Sequence, residues 1–202
     1  EPAGKMMRTK IFWIFIVMMV CAGASEQAMS QWASAFAEMG LHVDKTTGDL
    51  LGPCMFAVLM GASRTFYGKV SGKIRLTVFM SASAVLCVFS YLLAVFSPIP
   101  VISLAGCALT GLSVGIMWPG TFSLAAERCP KGGTVMFAFF ALAGDLGCAG
   151  GPGLVGLVSG TGSGGLKNGL LFAVIFPVVL LGSVRALRQT AEGKEKEKEL
   201  SY

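Results

Sequence analysis

The stretch that decides the fold is Ile11-Phe12-Trp13-Ile14-Phe15-Ile16-Val17-Met18-Met19-Val20-Cys21-Ala22-Gly23-Ala24, which runs directly into Ser25-Glu26-Gln27-Ala28-Met29-Ser30-Gln31-Trp32-Ala33-Ser34. No helix breaker separates the apolar half from the polar one. At about 100° per residue, Glu26, Gln27, Ser30, Gln31 and Ser34 fall within an arc of roughly 140°, with Trp32 and the aliphatic residues on the other side. The stretch reads as one membrane-length helix whose second half carries a polar stripe with an acid in it. A carboxylate at bilayer depth costs about 2.5–3.5 kcal/mol on insertion scales. The neighbouring apolar residues offset that cost without explaining the acid, which calls for a wet cavity, a partner or a role.

Composition agrees with a membrane protein. Of 202 residues, 54% are hydrophobic and 13% charged, and the mean hydropathy is +0.71. A soluble domain would carry about 25% charge. Together with repeated apolar runs of membrane length, this predicts an all-α polytopic membrane protein. The net charge of +5 would suggest a nucleic-acid partner in a soluble chain. Here it reflects loop bias, and no nucleic acid is expected. The abundance of Phe, Met and Gly suits lipid-facing helices with closely packed backbones. Cysteines 21, 54, 87, 107, 129 and 148 are spaced for neither a disulfide framework nor a zinc site, and read as small buried hydrophobes. The chain opens on Glu with no signal peptide, so it is expected to be processed or to be a piece of something longer.

Six spans follow, at residues 11–39, 48–69, 75–96, 99–125, 133–158 and 166–187, each long enough to cross a bilayer core at about 1.5 Å per residue. Residues 1–10 form a basic leader, and 188–202 a Lys/Glu-rich solvated tail. Between spans lie the polar loop Gly40–Asp49, in which Asp49 or Thr47 is placed to cap the second helix, and the basic loop Gly68–Arg75. The turn Ser97-Pro98-Ile99-Pro100, the break Glu127–Gly133 and the flexible Ser159–Gly165 complete the set. Fourteen Lys and Arg lie on one side: Lys5, Arg8, Lys10, Arg64, Lys69, Lys73, Arg75, Arg128, Lys131, Arg185, Arg188, Lys194, Lys196 and Lys198. Lys45 and Lys167 lie on the other. The positive-inside rule then places both termini in the cytoplasm of a cell whose plasma (inner) membrane holds the chain, and an even number of spans agrees. The first and fourth spans both run long, a pattern that suits two inverted three-helix repeats.

Two acids sit well inside spans, Glu26 and Asp145. Counted from the cytoplasmic side they lie about 22 Å and 18 Å along their helices, so both can face one cavity. The functional reading is a proton-binding carboxylate or a hydrogen-bond acceptor for a solute; the alternative is a structural acid bonded to a neighbouring helix. Gln27 and Gln31 share the stripe of Glu26. Gly144, Gly147, Gly150, Gly151, Gly153, Gly156 and Gly160 make the fifth span either a mobile cavity-lining helix or a tightly packed one, with Pro152 a candidate kink. Trp118, next to Pro119, is either a ligand-stacking ring or an interfacial anchor.

Other apparent motifs carry little. Gly160–Gly165 matches G-x-G-x-x-G, but between membrane spans and with no βαβ unit it reads as a linker. The single histidine, His42, lies in a loop, so neither a Ser–His protease nor a histidine zinc site within the bilayer can be built. With no Walker lysine and no catalytic constellation, neither an enzyme nor a cofactor is expected.

These residues resemble a family. Six helices, cytoplasmic termini and a basic second-to-third loop look like one six-helix half of a twelve-helix major facilitator superfamily transporter, over about 11–187. Gly115-Ile116-Met117-Trp118-Pro119-Gly120-Thr121-Phe122-Ser123-Leu124 looks like the tenth-helix segment of fucose-permease-like sugar transporters. Gly144-Asp145-Leu146-Gly147 with Gly151-Pro152 looks like an eleventh-helix pattern in bacterial members. The loop is similar to the family's G-x-L-x-D-R-x-G-R: Gly68 matches its first Gly and Lys73 its basic position, with Lys69 and Arg75 beside them. Gly72 stands where the acid belongs and Arg75 where the second Gly does. That departure suits the C-terminal half and puts a full charge-relay gate in doubt. The resemblance implies alternating-access transport of a small polar solute, such as a sugar, with proton coupling, and a partner in the missing N-terminal half or a second copy. Three other readings stand beside it: a self-standing six-helix homodimeric transporter, an organic-cation or multidrug exporter, and a non-transporting scaffold.

Overall fold

The computed structural model describes residues 7–70, 73–160 and 165–199, with side chains described as far as Thr190. The leader before residue 7, Gly72 and the loop at 161–164 lie outside the described residues.

Helix α1, Lys10–Ala35, runs on through a π-helical turn, Phe36–Gly40. After a short break come α2 (Lys45–Asp49), a second π-helical turn (Leu50–Cys54) and α3 (Met55–Val70), continuous with one another. Then follow α4 (Leu76–Phe96), α5 (Pro100–Val114), α6 (Met117–Arg128), α7 (Gly133–Gly160), α8 (Gly165–Ala173) and α9 (Ile175–Glu199). Proline accounts for most of the interruptions. It has no N–H and its ring crowds the carbonyl four residues back. Pro53 lies inside the second π turn, Pro119 follows the Gly115–Ile116 break by one turn, and Pro177 follows the break at Val174. Pro152 is carried inside α7 without ending it.

Among the described residues, five helical segments are long and apolar enough to span a membrane: Lys10–Gly40, Leu76–Phe96, Pro100–Arg128, Gly133–Gly160 and Gly165–Thr190. The expected second span is helical from Lys45 to Val70 but is not one of the five, and it carries Arg64 inside its apolar run.

Several loop expectations change. The polar loop shrinks to three residues, His42–Asp44. His42 takes a left-handed φ of 55°, a region His visits more readily than β-branched residues do. The Val43 N–H then turns back to the Ala37 carbonyl at 3.1 Å. The cap of the second helix is Asp44, which accepts from the Thr47 N–H at 2.9 Å; Asp49 instead accepts from the Ser34 hydroxyl. Arg64, Gly68 and Lys69 belong to α3 rather than to the loop after it, and the tail expected from residue 188 continues α9 as helix to Glu199.

Helix α1 is the centre of the bundle. It packs along α7 and also touches α9, α5 and α6. At its start Phe12 and Phe15 meet Phe140 of α7, with ring centroids 5.4 and 5.7 Å apart. Further along, glycine takes over. A Cβ on Gly147 would collide with the Val20 carbonyl, and one on Gly151 would come within 2.7 Å of the Ala24 Cα. Glycine likewise lets α5 approach α3 at Gly111, against the Phe56 backbone, and α4 at Gly106, where an added Cβ would stand 2.6 Å from the Ala94 nitrogen. All six cysteines are free.

Candidate functional site

The polar half of α1 is held from two sides. The Tyr91 hydroxyl of α4, fully buried, donates to the Ser25 carbonyl at 2.8 Å. The Trp32 indole N–H donates to the Pro152 carbonyl of α7 at 3.0 Å, with its ring lying over Gly156. Trp32 is therefore a strut between helices, and the stripe faces away from it. On that stripe Gln31 donates to Gln27 at 3.2 Å, and Glu26 is half-buried.

Two groups absent from the sequence expectations join Glu26. Arg64 of α3 lies within electrostatic range of its carboxylate. The Arg64 Nε donates to the Gly115 carbonyl at 3.0 Å, the acceptor whose ordinary helical donor would be the N–H that Pro119 lacks. Cys148 of α7 lies within electrostatic range of both Glu26 and Asp145. Asp145 itself is exposed on α7, one turn before the half-buried Cys148. The signals for both groups were slight: an arginine counted with the second-to-third loop, and a cysteine one turn beyond Asp145.

Trp118 sits deeper than an interfacial anchor would. Its ring lies on Gly144, with Cη2 at 2.5 Å from where a Cβ would stand and the Met19 methyl at 3.0 Å from the same point. Its neighbour Phe122 is 6.2 Å away. Among the described residues, the buried side-chain atoms without a hydrogen-bond partner are the Ser25 Oγ, the Glu26 Oε2 and the Trp118 Nε1. Buried polar atoms are nearly always satisfied. The three unsatisfied ones lie on α1 and α6.

The basic-loop residues do not join this group. Gly68 and Lys69 lie in the last turns of α3, Lys73 is exposed, and Arg75 caps α4. Arg75 lines a cleft of about 150 Å³ with Glu127 and Arg128. Among the described residues, no group of three His, Cys, Asp or Glu is placed to hold a metal ion.

Long apolar helices, one of them carrying a half-buried polar stripe, define a multi-pass membrane protein of the transporter class. The family model of the Major Facilitator Superfamily matches residues 2–152, and the chain belongs to that superfamily. No curated protein and no solved structure matches it.

Proposed function

We propose that this chain is the C-terminal six-helix half of a twelve-helix, proton-coupled transporter of a small polar solute, with sugars and polyols the first class to test. In this reading Lys45–Val70 is the second of six spans, the helices form two inverted repeats, and both termini are cytoplasmic at the plasma membrane. The observation that carries it is the Glu26 Oε2, buried and without a partner on a stripe shared with Gln27 and Gln31. Glu26 takes and releases the proton, the glutamines and Trp118 meet the solute, and Asp145, exposed on α7, adds a second carboxylate. Inverted repeats place such sites between the two halves near the bilayer midplane, so the missing half supplies the other contacts.

The test is uptake of radiolabelled hexoses and hexitols by cells carrying the complete transporter, with and without Glu26→Gln, over about pH 5.5–8, a range spanning the titration of a buried carboxyl. The substitution is expected to abolish uptake or its pH dependence. Uptake unchanged across that range would overturn the proton role of Glu26.

One observation favours a second reading, export of organic cations: two carboxylates lie within electrostatic range of Cys148, against the single cation Arg64. Loss of ethidium extrusion in the same variant, with hexose uptake absent from the wild type, would select it.

A further inference from the structure

Where α1 begins, α6 ends and α7 begins, a cleft of about 270 Å³ opens between Thr9 and Ile11 on one wall and the Arg128–Gly132 turn on the other. Its depth along the bundle is set by three membrane segments, since Lys10–Gly40 and Gly133–Gly160 start here and Pro100–Arg128 ends here. It therefore lies where hydrocarbon gives way to lipid headgroups. Among the described residues its charged lining residues are Arg128 and Lys131; Arg128 also borders the neighbouring cleft, which Glu127 and Arg75 line. Arg128 is half-buried, and among the described residues its guanidinium has no hydrogen-bond or ion-pair partner. A partly desolvated cation without a counter-charge is costly. Beside the cleft the chain surface is apolar: Trp13 is 53% exposed and Val135 54%. The Trp13 indole donates to the Met7 carbonyl at 2.8 Å, which fixes the ring at the level where interfacial aromatics sit.

We propose that this cleft binds the phosphate of an anionic phospholipid. Arg128 presents its planar fork to two phosphate oxygens and Lys131 adds a point charge. Ile11 covers the glycerol carbons, and the acyl chains leave along Trp13 and Val135. Basic pockets between membrane helices take anionic headgroups on these terms. The proposal does not depend on what the protein transports.

The test uses protein purified in mild detergent and mixed with phosphatidylglycerol or phosphatidylcholine, with bound lipid read by native mass spectrometry and stability by thermal unfolding. Phosphatidylglycerol is expected to be retained preferentially and to raise the melting temperature. Arg128→Gln combined with Lys131→Gln should weaken that retention at least tenfold, and Arg75→Gln, in the neighbouring cleft, should leave it intact. Lys131→Gln alone removes an exposed side chain without touching the core, and should weaken retention severalfold even if the double variant does not fold. Equal retention of the two lipids, or no change in the Lys131 variant, would overturn the site. A melting shift of the same size with inorganic phosphate or glycerol 3-phosphate would overturn the lipid assignment in favour of a free phosphate.

Discussion

Arg64 of α3 donates through Nε to the Gly115 carbonyl at 3.0 Å, which makes a side chain on one helix the substitute for a backbone donor missing from another. Position 119 is proline, so the turn after Gly115 cannot close on itself. Arg64→Met leaves that carbonyl unsatisfied and is expected to cost about 1–3 kcal/mol. Pro119→Ala restores an N–H four residues on, so Arg64→Met should cost less in that background. Denaturation of the two single variants and the double in detergent measures the coupling, and strictly additive losses would refute the substitution.

The glycines of α7 divide by what they face. Gly147 lies against the Val20 carbonyl, while a Cβ on Gly153 would have open space around it. Gly147→Ala should cost about 1–3 kcal/mol through overpacking. Gly153→Ala should be neutral or stabilise by up to about 1 kcal/mol by stiffening the helix. Equal thermal shifts in the two variants would show that α1 and α7 are not packed this closely.

Tyr91→Phe keeps the ring in the core and removes only the donor to the Ser25 carbonyl. The expected loss is about 1 kcal/mol, with faster amide exchange in α1 around residues 25–29 than around Phe12 and Phe15. Uniform exchange along α1 would mean that the hydroxyl holds nothing locally.

Asp44 is the pH-sensitive cap. The Thr47 backbone N–H, together with the Thr47 side chain, holds its carboxyl below the usual carboxylate range. A lowered value in the folded chain means that the stabilisation is complete above the ordinary aspartate value of about 3.9 and is lost as pH falls through the lowered one. Protection of the Thr47 amide should therefore hold above about pH 4 and drop as pH falls further below the ordinary aspartate value. Asp44→Asn keeps an acceptor that does not titrate, and should flatten the change. The same drop in the Asn variant would assign it to another group.

Much of the architecture was legible because the bilayer imposes simple rules. Apolar runs of span length located α1, α4, α7 and the α5–α6 segment, and 100° periodicity put Glu26, Gln27 and Gln31 on one stripe. Family membership was legible as well, in the arrangement of spans and the basic loop. What local pattern missed has long-range causes. Arg64 looked like a loop cation because its acceptor is 51 residues away. Trp118 allowed an interfacial reading because nothing near it in sequence announces Gly144 as its floor. Asp49 was a plausible cap by position, yet its carboxylate is taken by Ser34, leaving the cap to Asp44. The extension of α9 was hidden because a Lys/Glu-rich stretch has the composition of a solvated tail whether or not it is helical.

The glycine contact between α1 and α7 has a mechanical consequence. Where backbone meets backbone at Gly23, Gly147 and Gly151, no long side chains lie between the helices to change rotamer and let them slide. The pair behaves as a single girder. Glu26 rides on one rail and Asp145 on the other, so the gauge between their backbones is set by the packing of α1 on α7.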